Sequence, residues 1–78
     1  MENLKEFIIE KLEEASGLEG ITEANALFEE EILDSMSILY LVSEIETEYG
    51  ILIPLEEVIE DNFSSVNNIV LYLQGKIG

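Results

Sequence analysis

Cysteine and histidine are both absent from this 78-residue chain. Their absence excludes disulfides, thiolate metal sites and every catalytic arrangement that needs a His or Cys from the chain itself. Basic residues are nearly absent too: three stand against eighteen acidic ones, for a formal net charge of −15. Phosphate contacts need Lys and Arg, so nucleic acid is excluded as a partner, and an anionic membrane surface is disfavoured for the same reason. No apolar run approaches the ~18 residues needed to span a bilayer. The opening stretch, MENLKEFIIEKLEE, lacks the basic start and long apolar core of a secretory signal. These absences lead us to expect a cytoplasmic protein with no membrane insertion.

What is present is ordinary globular content, 47% hydrophobic, which argues against disorder. The length fits one small domain spanning residues 1–78. A chain of this size buries only about 60% of its unfolded surface, so marginal stability is expected. The excess acid has two readings. It can steer a partner that bears a basic patch, or it can simply keep a small protein soluble.

Residues 3–16 read as a first helix, with Leu4, Phe7, Ile8, Leu12 and Ala15 recurring at helical spacing and Gly17 as a left-handed cap. Residues 17–33 form a long connection. It holds Leu18, Ile21, Leu27, Phe28, Ile32 and Leu33, too much apolar surface for a floppy linker, so we expect it to wrap the core with a helical turn near 25–30. Residues 35–49 form the strongest helix, ended by Gly50; Asp34 or Ser35 is its N-cap. Ile38, Leu41, Val42, Ile45 and Tyr49 lie on its inner side, with Leu39 flanking them. Met36, Tyr40, Ser43 and Thr47 form an opposite stripe without formal charge. An extended ILIP precedes a short third helix over 55–60, with Leu55, Val58 and Ile59 inward and Asp61-Asn62 as its stop. Residues 65–74 make the last helix, capped by Ser64 or Ser65 and ended by Gly75. The fold class is therefore all-α: a small bundle of three main helices plus one short helix.

Chemistry is scarce. A serine nucleophile would need a base, and neither His nor Cys exists. The lysines, Lys5, Lys11 and Lys76, sit on or beyond the terminal helices. No catalytic residue and no metal ligand set is expected. The acidic runs Glu29–Glu31 and Glu56, Glu57, Glu60 are the best places for a cation, but their spacing matches no calcium loop, and diffuse screening is the better reading. What remains is Asp34-Ser35 at the mouth of the strongest helix. Those residue types usually do no more than cap. A hydroxyl there is also well placed to hold a phosphodiester, because free N–H groups and the helix dipole favour an anion. The stripe from Met36 onward is a plausible docking surface beside it.

The stretch LDSMSILYLVSEIETEYGILIP, Leu33 to Pro54, resembles the phosphopantetheine attachment region of acyl and peptidyl carrier proteins. Such domains open a helix with Asp-Ser-Leu or Asp-Ser-Met and close it with an acidic-then-aromatic segment and a Gly-Ile-x-Ile-Pro-like turn. The helix order extends the resemblance over essentially the whole chain and implies an acyl-carrier-protein-like four-helix bundle. It further implies that Ser35 carries 4′-phosphopantetheine from coenzyme A, whose thiol holds an acyl or aminoacyl group as a thioester. The chain would then be a free-standing, non-catalytic, monomeric carrier. Its partners would be a phosphopantetheinyl transferase, a loading ligase and downstream acyl-processing enzymes with basic or apolar docking patches. Asp34 would help the transferase recognise the site, while Met36, Ser37, Tyr40, Ser43 and Thr47 would meet partners.

Ile32 stands where a glycine is common in fatty-acid carriers, and Leu33-Asp34-Ser35-Met36 is more similar to D-alanyl and some aminoacyl carriers. Fatty-acid carriers also place acids early on this face, where Ser37, Tyr40 and Ser43 stand here. D-alanine transfer or a specialised acyl, polyketide or peptide pathway is therefore favoured over general fatty-acid synthesis. The alternative of another class is an acidic helical interaction module without a prosthetic group.

Overall fold

A computed structural model describes residues 4–77. It contains α1 (Leu4–Ser16), α2 (Ser35–Tyr49), a single 3₁₀ turn (Leu55–Glu57), α3 (Glu60–Phe63) and α4 (Val66–Ile77). Among the described residues there is no strand. The all-α class and the count of three main helices plus a short one stand as expected. Asn3, the expected first residue of α1, lies outside the described residues.

One apolar cluster holds the elements together. Phe7, Ile8 and Leu12 of α1 meet Leu41, Val42 and Ile45 of α2 and Val66, Ile69 and Leu73 of α4, with Phe63 of α3 fully buried among them. The i, i+4 and i+7 spacings of these residues put each set on one helix face. Phe7 of α1 also meets the Tyr49 ring edge-on, with centroids 5.5 Å apart. Truncating a fully buried side chain such as Leu41 to Ala is expected to cost ~2–5 kcal/mol.

The long connection behaves as a packed strap. Ile21, Leu27, Ile32 and Leu33 are buried, Phe28 is partly so, and Leu18 alone of the six is exposed. The expected helical turn is present: the Glu30 N–H donates to the Ala26 carbonyl at 2.9 Å. The Leu27 carbonyl then receives the N–H groups of Ile32 and Leu33, while the Leu27 N–H donates to the Ser64 carbonyl. Glu13 fixes the other end of the strap by accepting from the Gly20 and Ile21 N–H groups. Glu31 adopts φ 59°, a left-handed backbone that costs an L residue energy.

Gly50 has φ 64° and donates its N–H to the Glu46 carbonyl, ending α2 as expected. The Glu46 carboxylate then accepts from the Ile53 N–H at 2.7 Å and sets the turn that follows.

Three expectations change beyond this turn. The third helix is split. Val58 (φ −86°, ψ 72°) and Ile59 (φ −125°, ψ 162°) leave helical geometry, and helix resumes only at Glu60. As a result Leu55 and Ile59 point outward instead of inward, with Leu55 75% exposed; only Val58 packs against the core. Asp61 and Asn62 lie inside α3, which runs on until Phe63 is buried. Finally, α4 starts at Val66 after Ser65 and passes through Gly75 to Ile77. That extra turn brings the Lys76 ammonium within 2.8 Å of the Glu57 carboxylate, which also accepts the Tyr72 hydroxyl. Burial and that bond push the Tyr72 phenol far above its ordinary range.

The three lysines all bridge elements. Lys5 pairs with Glu23 on the strap, Lys11 with Glu44 on α2, and Lys76 with Glu57 on the 3₁₀ turn. Exposed pairs of this kind contribute little singly. Here they place scarce positive charge at the seams of an acidic molecule.

Candidate functional site

The entry to α2 settles which of two neighbouring side chains is the cap. Asp34 has an extended backbone, φ −129° and ψ −173°, and its Oδ1 accepts from the Met36 N–H at 3.0 Å and the Ser37 N–H at 2.8 Å. The Ser37 hydroxyl donates to the same oxygen at 2.9 Å. These bonds, those from Ser37 first, hold the Asp34 carboxyl below its usual range, so it stays ionised. Its carbonyl accepts the first helical bond, from the Ile38 N–H.

Ser35 is the first residue of the helix, and it is exposed. Among the described residues no hydrogen bond uses its hydroxyl. The chain has six serines. Ser16, Ser37, Ser64 and Ser65 all place their hydroxyls in hydrogen bonds. Among the described residues only Ser35 and Ser43 do not, and Ser43 sits in the middle of α2. A hydroxyl at a helix mouth, exposed and released from capping, is sterically and chemically able to carry an attached phosphodiester.

The expected outer stripe is mostly where the periodicity placed it. Met36 is 77% exposed, and Tyr40, Ser43 and Thr47 are exposed as well. Leu39 adds a further exposed apolar side chain. Ser37 is different. It is 8% exposed and its hydroxyl is bound to Asp34, so it braces the cap.

An open groove lies between α1 and α2 beside the serine. Glu14, Ala15, Asp34, Met36, Ser37 and Tyr40 line it. The Tyr40 hydroxyl donates to Glu14 Oε1 at 2.9 Å, and Lys11 lies 3.3 Å from that oxygen and 3.3 Å from Glu44. The Tyr40 bond and then Lys11 hold the Glu14 carboxyl below its usual range. Glu14 in turn raises the Tyr40 phenol, and Glu44 leads the groups that raise Lys11. Sequence reasoning missed Glu14, because its partner Tyr40 lies 26 positions away and no local pattern marks the pair.

The arrangement offers no self-contained catalysis. The carboxylate nearest Ser35 in sequence, Asp34, is turned onto the helix N–H groups, and Lys11 is committed to two carboxylates. Among the described residues no group of three or more acidic side chains is placed to hold a metal ion, so the runs at Glu29–Glu31 and Glu56–Glu60 do not converge.

The fold and this helix mouth together define a small helical domain with an exposed hydroxyl at the start of its longest helix. Residues 6–73 match the family model described as a phosphopantetheine attachment site. The chain belongs to that family. It is also 35% identical, over 75 residues, to the D-alanyl carrier protein of Lactococcus lactis subsp. lactis (strain IL1403), an alignment covering 94% of this chain and 95% of the relative. The D-alanyl carrier protein of L. lactis subsp. cremoris (strain MG1363) matches at the same identity and coverage. Membership makes the chain a non-catalytic carrier whose covalent prosthetic group is 4′-phosphopantetheine and which works through partner enzymes. None of the described helices is long and apolar enough to cross a membrane.

Proposed function

We propose that Ser35 is the attachment point and that the chain carries an aminoacyl group, D-alanine being favoured. The observation that carries this reading is the division of labour at the α2 mouth. Asp34 does the capping, and the Ser35 hydroxyl is left exposed and unbonded. In the attachment step Ser35 Oγ forms a new P–O bond with coenzyme A while the P–O–P bond of that molecule breaks. The adenosine bisphosphate portion leaves, and the serine proton passes to a base of the phosphopantetheinyl transferase. Once attached, the arm supplies the thiol that a chain without cysteine lacks. D-alanine is favoured by the name the two relatives bear and by the uncharged stripe of Met36, Tyr40, Ser43 and Thr47.

That stripe, with Asp34 at its head, is the surface we assign to the transferase, the loading ligase and downstream enzymes. Packing should count for more there than salt-screened attraction. Residues 1–78 act as one carrier domain, monomeric and cytoplasmic.

The test is incubation with coenzyme A and a broad-specificity phosphopantetheinyl transferase, followed by peptide mapping of the product. One adduct on the peptide bearing Ser35 supports the reading. An adduct on another serine, or none on a folded sample while a known carrier is modified alongside, overturns it. Charging of the modified protein by a D-alanine-activating ligase, in preference to a fatty-acyl ligase, tests the cargo.

A further inference from the structure

The groove between α1 and α2 opens at the α2 mouth, walled by Glu14 and Ala15 of α1 and by Asp34, Met36, Ser37 and Tyr40, residues of the cap and the outer stripe. We infer that it seats the Ser35-proximal half of the pantetheine arm, with Glu14 and Tyr40 as positioning residues. The inference rests on the reading of Ser35 given above.

Reach is the first argument. Met36 adjoins Ser35, and Tyr40 lies five residues further along α2, about 7.5 Å along the axis at ~1.5 Å per residue. Tyr40 also lies ~140° around the helix from Ser35, so an arm tethered at Ser35 crosses Met36 to reach it.

Chemical match is the second. Beyond its phosphate, the attached half of the arm presents a geminal dimethyl group, a hydroxyl and an amide N–H. The groove opposes these with the Met36 and Ala15 side chains, the Tyr40 ring and a carboxylate. Glu14 uses Oε1 for both Tyr40 and Lys11, and among the described residues no hydrogen bond uses its Oε2. One acceptor therefore remains for an N–H or O–H of the arm. Glu14 is ionised at neutral pH, which makes that acceptor a strong one.

Preorganisation is the third. The chain of contacts Tyr40–Glu14–Lys11–Glu44 ties the two walls together before any arm arrives. Little side-chain ordering then remains to oppose binding. The groove is shallow, and a free ligand would bind it weakly. A tether changes that, because an attached arm is present at an effective concentration in the millimolar range. Seating would hold the arm against the protein between encounters, and a partner that docks on Met36 and Tyr40 would displace it.

The experiment compares isotopically labelled apo and modified protein by NMR, after intact mass has established whether the arm is attached. The expected result is a set of shifted amides that includes Glu14, Ala15 and Tyr40 as well as residues 34–37, with cross-peaks between the geminal methyl protons and the Tyr40 ring. Tyr40→Ala and Glu14→Ala should lose those cross-peaks while keeping the adduct, and Tyr40→Phe, which keeps the ring, should retain them in part. The apo spectrum of each variant reports that it is folded. An adduct with no cross-peak to Tyr40, and shifts confined to residues 34–37, overturns the groove alone. No adduct overturns the reading of Ser35 and the groove with it.

Discussion

Two helices of this molecule are entered through a polar pair that ends in serine, and the two serines have opposite duties. At α4 the pair is Ser64-Ser65. The Ser65 hydroxyl accepts the Asn68 N–H at 3.2 Å, and the Ser64 hydroxyl accepts the Asn68 side-chain amide at 2.5 Å. At α2 the pair is Asp34-Ser35. There Asp34 takes both the Met36 and Ser37 N–H groups, Ser37 reinforces it from within the first turn, and Ser35 is left with nothing to hold. A serine that caps a helix cannot be modified without cost to the fold, because its lone pairs are in use. A serine moved one place into the helix, behind an aspartate that caps in its stead, can be. On the reading of Ser35 proposed above, the difference between the two mouths is what fits the Asp-Ser pair to be a site while the Ser-Ser pair only starts a helix.

Removing the substitute cap should break the contrast most strongly. Asp34→Ala is expected to give the largest fall in melting temperature of any alanine substitution within the two polar pairs, since it orphans two N–H groups and the Ser37 hydroxyl at once. It should also slow modification, and thermal melting alongside a modification time course checks both. Acid should act on the same contact. The Asp34 carboxyl titrates below its ordinary 3.8 in the folded state. Its contribution is therefore full above that ordinary value and is lost as pH falls through the depressed one. The melting gap between the wild type and Asp34→Ala should accordingly hold from neutral pH to about pH 5 and narrow below about pH 4.

Ser65→Ala should cost roughly 1 kcal/mol, as the loss of an N-cap does, and leave modification at Ser35 unchanged. Denaturant melts and intact mass on one preparation decide both halves. The smallest expected effect is a gain. Glu31 holds a left-handed φ of 59° just ahead of the site, so Glu31→Gly should raise stability by about 0.5 kcal/mol, the relief of strain being partly offset by a looser unfolded chain. A loss of stability in that variant would mean that the Glu31 side chain does work the geometry does not reveal.

Much of this was legible from the residues. α1 and α2 announce themselves by apolar spacing and end at glycines whose φ values of 76° and 64° an L residue resists. The Asp-Ser-Met triplet and the Gly50–Pro54 turn carried the resemblance that the family match upheld. Periodicity failed where tertiary forces took over. Leu55, Val58 and Ile59 have helical spacing, but the chain leaves helical geometry at Val58 and Ile59, buries Phe63 in the next turn and leaves Leu55 outward. Gly75 reads as a stop, yet α4 continues and Lys76 reaches Glu57. At the site, spacing could not tell which of Asp34 and Ser35 caps, since both types do so equally well. The resemblance put Ser37 among the residues that meet partners, whereas the structure buries it with its hydroxyl on the Asp34 carboxylate. The Glu14–Tyr40 contact joins two helices and leaves no mark in either one alone.

The measurement that tests the central claim most directly is made on Ser35→Ala alone, with melting temperature and transferase-dependent mass gain read from the same sample. A serine free of structural work predicts an unchanged melting temperature and no mass gain. A fall in melting temperature as large as that of Ser65→Ala, or an adduct that survives the substitution, would contradict it: Ser35 would be one more cap, or the prosthetic arm would belong elsewhere on the chain.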